Sequence, residues 1–132
     1  MEKIISALQG RQKPVTRLTR NSKLFKAILE AIKDKKGEKI VSLDLRKIDE
    51  AVADFFILCE ANSHIQVKAI ATNIEEAVFQ ECGEKPYHVE HGDYWTLVDY
   101  VNVVVHIFQQ EQRKFYNLET LWADAERMEH ND

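Results

Sequence analysis

The chain reads as one α/β domain, a mixed sheet of about five strands with helices packed on it. Three observations carry that reading. Val67, Ile70, Ala71, Ile74 and Val78 recur at helical spacing between strand-like stretches. Phe55 to Cys59 and Val103 to Phe108 are almost continuously apolar, which suits strands covered on both faces. The 132 residues are 45% hydrophobic and 30% charged, an ordinary globular balance with room for one domain that buries well over half of its unfolded surface.

Each element has its own signal. Residues 1–21 show no sustained period and are interrupted by Gly10 and Pro14; they are expected to form a basic, loosely ordered extension. A helix follows, with Asn21 or Ser22 as its cap, Leu24, Ile28 and Ile32 on one face, and Lys35-Lys36-Gly37 as its stop. Ile40 to Leu45 alternates, with Val41, Leu43 and Leu45 to one side, and predicts a strand. Arg46 to Ala53 is a polar connector before the Phe55 strand. Ser63 and Gln66 have the spacing of a capping box at the start of the second helix, and Gly83 ends it. Tyr87 to Glu90, Tyr94 to Tyr100 and Val103 to Phe108 are three further strands, the first two joined by a turn at His91-Gly92-Asp93. Strand, helix and strand in that order imply a crossover and at least one parallel pair. The last element is a helical tail with Leu118, Leu121 and Trp122 on a shared face. The domain is expected to span residues 22–126, with 127–132 a frayed tail.

Charge is divided along the chain. Residues 1–39 hold eleven basic and four acidic side chains, net +7; the rest hold seven and eighteen, net −11, giving the −4 of the whole. A basic head on an acidic body predicts two different surfaces. The head suits RNA phosphates, or merely solvates a helix end. The body suits a basic protein. No apolar run reaches the ~18 residues of a membrane span, and the first residues lack the apolar stretch of a secretory signal. Cys59 and Cys82 give no disulfide framework and read as small buried thiols. The expectation is a cytoplasmic protein with no membrane partner.

Catalytic signals are weak. The four glycines stand far apart, so there is no phosphate loop, and no serine sits in a nucleophile elbow. His88 and His91 point to opposite sides of their strand and turn. His64 is an ordinary surface position and His130 lies in the frayed tail. Asp44, Asp49, Asp54 and Asp99 are the strongest catalytic candidates, since two carboxylates near a strand end can hold magnesium for nucleotidyl transfer. Without a lysine or glycine cradle for the phosphates, they read better as turn caps (Asp49, Asp54) and solvent-side strand residues (Asp44, Asp99). His106, inside an apolar strand, reads as a core histidine with both nitrogens hydrogen-bonded rather than a proton shuttle. The expectation is therefore no enzyme, no cofactor and no metal.

The strand Tyr94 to Tyr100 has aromatics on both faces. Alternation puts Trp95, Leu97 and Asp99 on one and Tyr94, Thr96, Val98 and Tyr100 on the other. Tryptophan and tyrosine dominate protein interfaces, yet Trp95 suits a core equally well. Trp122 reads as core.

Several strings resemble the ribosomal silencing factor (Iojap-related) family. Asp99-Tyr100-Val101-Asn102-Val103-Val104-Val105-His106-Ile107-Phe108 is similar to its Asp-Tyr-Gly-Asp-Val-Val-Val-His-x-Phe stretch, and Phe115-Tyr116-Asn117-Leu118-Glu119-Thr120-Leu121-Trp122 to its Phe-Tyr-Asp-Leu-Glu-x-Leu-Trp ending. Ala53-Asp54-Phe55-Phe56-Ile57 and Ser63 to Ala71 resemble its central blocks, in order. Asp93-Tyr94-Trp95 stands where the family has an acidic residue followed by tryptophan. The resemblance implies a nucleotidyltransferase-like fold without the catalysis and a homodimer when free. It implies binding to the large ribosomal subunit through ribosomal protein fourteen, which blocks joining of the small subunit and lowers translation when nutrients are scarce. The resemblance places Trp95 on the surface that meets the ribosomal protein; with the aromatic-rich strand around it, the expected partner-binding set is Trp95, Leu97, Asp99, Tyr100 and Asp93, with Trp95 an exposed or half-exposed anchor. The basic head is expected near ribosomal RNA. Alternatives are a metal-dependent nucleotidyltransferase and an assembly factor acting at the same site. Three features depart from the pattern: Ala61-Asn62 replaces a glycine-containing step, Ile65 stands where arginine is common, and Val101-Asn102 replaces Gly-Asp.

Overall fold

The computed structural model describes residues 22–49 and 51–131. The basic extension expected over residues 1–21 lies outside them. The elements, in chain order, are α1 (Lys23–Asp34), β1 (Glu38–Asp44), β2 (Phe55–Ala61), α2 (His64–Cys82), β3 (His88–His91), β4 (Trp95–Asp99), β5 (Val103–Gln109), α3 (Gln110–Tyr116), α4 (Leu118–Leu121) and β6 (Glu126–Glu129). The sheet order is β3-β4-β5-β2-β1-β6. Among the described strands only β2 and β5 run parallel; the other neighbours are antiparallel. The parallel pair is the one the crossover demanded, because α2 carries the chain back across the sheet.

Local chemistry explains both long helices. Ser22 Oγ accepts from Phe25 N at 3.2 Å, capping α1. Lys36 takes the left-handed backbone that closes α1 (φ 64°). Gly37 is needed for space instead: a Cβ there would lie 2.4 Å from Ile32 Cγ2. Ser63 Oγ accepts from Gln66 N at 3.1 Å. The reciprocal bond goes one residue further back than a capping box requires, with Gln66 Oε1 accepting from Asn62 N at 3.1 Å. Gln66 Nε2 donates to the carbonyls of Lys35 and Lys36, tying the start of α2 to the end of α1. Gly83 ends α2 in the left-handed region at φ 68°.

Strand alternation sorts the core into two layers. Ile40, Phe55, Ile57, Val98, Val103, Val105 and Ile107 meet the apolar faces of α1 and α2. Val41, Leu43, Phe56, Leu58, Trp95, Leu97, Val104 and Phe108 form the opposite layer with Leu45, Ala51, Ala53 and Leu118. Among the described residues no helix is long and apolar enough to cross a membrane.

Two expectations about the C-terminus are corrected. Residues 127–131 are not a frayed tail: Glu126–Glu129 forms β6 against β1, the sixth strand of the sheet among the described residues. His130 N donates to Ile40 O at 2.9 Å and Asn131 Oδ1 accepts from Ile40 N at 2.6 Å. All four β6 side chains are exposed. An edge strand held by main-chain bonds needs no apolar alternation, so its sequence carried no strand signal. The helical tail is also broken at Asn117 (φ 42°). That break buries Leu118, leaves Leu121 exposed, and sets Trp122 edge-on to Phe56 at 5.8 Å.

Candidate functional site

The residues expected to meet a partner sit on and around β4, the second strand from one sheet edge. Trp95 is only 3% exposed, so the expectation of an exposed or half-exposed anchor is corrected. Its indole packs against the β3–β4 turn. A Cβ on Gly92 would lie 2.4 Å from Trp95 Cε2, and Gly92 N donates to Trp95 O at 2.8 Å. Leu97 is buried beside it in the same layer, and Tyr100 is buried in the helix-side layer. Asp99 is buried, with Oδ1 accepting from Val101 N at 2.7 Å. The structure therefore brings four of the five together as buried side chains and leaves only Asp93 exposed. The physical reason is position: a strand flanked on both sides in a sheet with two core layers has no solvent face, so its aromatics pack inward.

The surface of this edge is made by neighbours that the sequence reading did not single out. Tyr94 is 49% exposed and Tyr87 68%. Both flank β3, the edge strand. On β3 itself, His88 Nε2 lies 2.8 Å from Glu90 Oε2, and His91 Nδ1 lies 3.1 Å from Thr96 Oγ1. Asp93 and Tyr94 immediately precede β4, so a strand-end position was the available signal. An exposed acidic residue beside an exposed aromatic one, at the turn end of an edge hairpin, can hold a basic, partly apolar protein surface.

The carboxylates considered for catalysis are engaged within the chain. Asp44 is buried and bidentate with Arg46, at 2.9 Å (Nε) and 2.7 Å (Nη2). Asp54 is buried and accepts from Asn102 Nδ2 at 3.1 Å. Asp44 and Asp99 are thus not solvent-side residues, as expected from alternation; β1 and β4 are interior strands. Asp49 is exposed. Among the described residues no group of three or more His, Cys, Asp or Glu is placed to hold a metal ion. Burial pushes the Cys59 thiol up to about 12, which removes its nucleophilic form at neutral pH.

His106 also differs from expectation. It is buried, but neither ring nitrogen has a hydrogen-bond partner among the described residues. The ring sits edge-on to Phe56 at 4.5 Å and stacks towards Phe108 at 6.3 Å. Burial lowers its pKa to about 3, so it is a neutral aromatic filler near pH 7. Wedged between phenyl rings, it gains packing instead of bonds.

A cleft of about 830 Å³ opens where β2 and β5 end, the usual ligand position in an α/β sheet. Here its charges are mutually compensated. Arg113, nearly buried, contacts Glu60 at 3.4 Å and Glu119 at 3.3 Å and donates to the Lys39 carbonyl. Arg127 bridges Glu119 and Glu129. The network joins α3, β2 and β6, so it reads as a clamp on the C-terminal segment.

A family model described as "Ribosomal silencing factor during starvation" matches residues 19–132. The ribosomal silencing factor of Halalkalibacterium halodurans is 40% identical over 111 residues, covering 83% of this chain and 93% of that protein. The one from Bacillus subtilis is 42% identical over 104 residues, covering 77% and 86%. A crystal structure from Bacillus halodurans superposes with a TM-score of 0.67 at 38% identity, covering 77% of this chain and 95% of that one. The matched region reaches six residues beyond Glu126, in line with the incorporation of β6 into the sheet.

Proposed function

Because the chain belongs to the ribosomal silencing factor family, we propose that it silences ribosomes by binding the large subunit through ribosomal protein fourteen and blocking the approach of the small one. It acts in the cytoplasm, as a non-catalytic repressor of translation, by occlusion. The single observation that carries the docking assignment is the exposed Tyr87, Asp93 and Tyr94 around the β3 edge, on the acidic part of a chain whose charge is divided. Asp93 and Tyr94 touch the partner directly. Trp95, Leu97, Asp99 and Tyr100 act from beneath by holding β4 and its two turns in place. Hydrogen bonds to Asp44, Asp54 and Asp99 from within the chain support binding over metal-assisted transfer. The basic segment before Ser22 adds contact with ribosomal RNA, and the free protein is a homodimer.

Sedimentation with separated subunits tests this. The protein is expected to travel with the large subunit and not with the small one. Asp93→Lys combined with Tyr94→Ala removes the charge and the ring, and is expected to weaken large-subunit binding by about tenfold or more while the melting temperature stays unchanged. Equal binding by parent and double variant overturns the placement of the site. Sedimentation with the small subunit alone overturns the function.

A further inference from the structure

The two long helices run antiparallel. Gln66, near the start of α2, donates to the carbonyls of Lys35 and Lys36 at the end of α1. Midway along α2, Asn73 Nδ2 donates to Ala31 O at 3.0 Å. The start of α1 therefore lies beside the end of α2. Charge at Cys82 agrees: burial first, and then Glu84, raise its thiol pKa, while Lys23, the first residue of α1, pulls it down. Residues 1–21 thus join the domain, at Ser22, next to the C-terminal end of α2. That end is acidic and aromatic. Glu75 to Tyr87 carries four glutamates and one lysine. No basic residue stands in the last turn of α2, although the carbonyls of a helix C-terminus favour cations. Phe79 is 53% exposed and Tyr87 68%. A cleft of about 440 Å³ is lined by Glu75, Glu76, Phe79, Lys85 and Pro86. Lys85 Nζ stands 5.8 Å from the centre of the Phe79 ring, so this ring already receives one cation. Residues 1–21 are the complement, with Lys3, Arg11, Lys13, Arg17 and Arg20 against Glu2 alone.

We propose that the basic segment 1–21 docks on its own domain, setting Arg17 and Arg20 among the glutamates at the end of α2 and covering the Phe79 ring. The reach suffices. Arg20 and Arg17 stand two and five residues before Ser22, up to about 7 and 18 Å of extended chain, and Glu75 is only about 10 Å along the helix from Cys82. Exposed ion pairs are individually weak. A segment attached at Ser22, however, meets the cleft at an effective concentration of roughly millimolar, so a few such pairs hold it. Docking shields exposed apolar surface and neutralises part of the acidic body. It also withholds the segment's cations from nucleic acid. Because the same cations serve the RNA contact proposed above, docking and RNA binding exclude each other, and phosphates release the segment. That release rests on the ribosome reading; the docking itself does not.

Limited subtilisin digestion of the full chain, followed by mass spectrometry, tests this. The rate of the first cut within residues 1–21 tracks the undocked fraction. Each protein is compared with itself in about 1 M salt, where the charges are screened, so that changes in the cleaved sequence cancel. The parent is expected to be cut about tenfold or more slowly at low salt than at high salt. Glu76→Lys combined with Glu84→Lys abolishes that protection, and so does Arg17→Glu combined with Arg20→Glu. All four substitutions together restore it, because the charges are merely exchanged. Phe79→Ala, which alters no charge, lowers protection by roughly threefold. Glu76, Phe79 and Glu84 are exposed, so circular dichroism and the melting temperature are expected to match the parent throughout. A parent cut equally fast at both salt concentrations, protection that survives either double reversal, or a quadruple variant as open as the doubles each overturns the proposal. These results are read on the protein without ribosomes, so they leave the ribosome reading standing; that reading fails separately, if the parent does not sediment with the large subunit.

Discussion

The two layers of the core are built by different rules. The layer under α1 and α2 is aliphatic apart from Phe25, Phe55, Cys59 and Tyr100, and its segments repeat at the periods of helix and strand. The opposite layer holds Phe56, Trp95, His106 and Phe108 close together, and is completed by the irregular connector after β1 and by Leu118 of α4. The first layer follows from local pattern. The second is a packing of distant, irregular and partly polar pieces. Aromatic and polar side chains in such a layer look like a site when met in sequence and are core when met in space. That is why Trp95, expected at an interface, is core, while His106, expected in the core, is there but packed against phenyl rings where hydrogen bonds were expected.

The largest expected effect breaks the second layer directly. Trp95→Ala removes a buried indole from a position where Gly92 leaves no slack. It is expected to lower folding stability by about 3–5 kcal/mol, read as a lower urea midpoint with an unchanged slope. Large-subunit binding then falls only as folding does. A stable variant that has lost binding would return Trp95 to the interface and erase the difference between buried strand and exposed edge.

A smaller effect distinguishes the layers by pH. His106 stays neutral in the folded protein down to about 3, against 6.5 ordinarily. Below 6.5 the unfolded chain takes up a proton that the folded one refuses. Stability from this residue is therefore complete above about pH 6.5 and is lost progressively as pH falls towards 3. The loss is roughly 1.4 kcal/mol per pH unit, or about 2 kcal/mol at pH 5. His106→Leu is expected to flatten that part of the pH profile of stability. A variant with the parent's acid profile would show that the acid sensitivity originates elsewhere.

The smallest effect lies at the turn that joins the layers' shared strands. Val101 holds φ 72° between β4 and β5, a conformation that costs a side chain with a Cβ about 1–2 kcal/mol. Val101→Gly relieves that strain and loses roughly 0.5–1 kcal/mol to the freedom of glycine in the unfolded chain. The expected net gain is at most about 1.5 kcal/mol in thermal unfolding. A loss would mean that the half-buried valine side chain packs better than its backbone suffers.

The sequence by itself determined the α/β class, both long helices with their serine caps, the parallel crossover and the two-sided apolar strands. These depend on neighbours within a few residues, where spacing and hydrogen-bonding chemistry act directly. Tertiary structure alone decided what was edge and what was interior. It gave β6 its place through main-chain bonds that any side chain permits. It buried Asp44, Asp54 and Asp99 by supplying Arg46 and the amide groups of Asn102 and Val101 as donors. It set Trp95 beneath a glycine and left Tyr94, one residue earlier, in solvent. Alternation says that successive side chains point to opposite faces; only the rest of the fold says whether either face meets water.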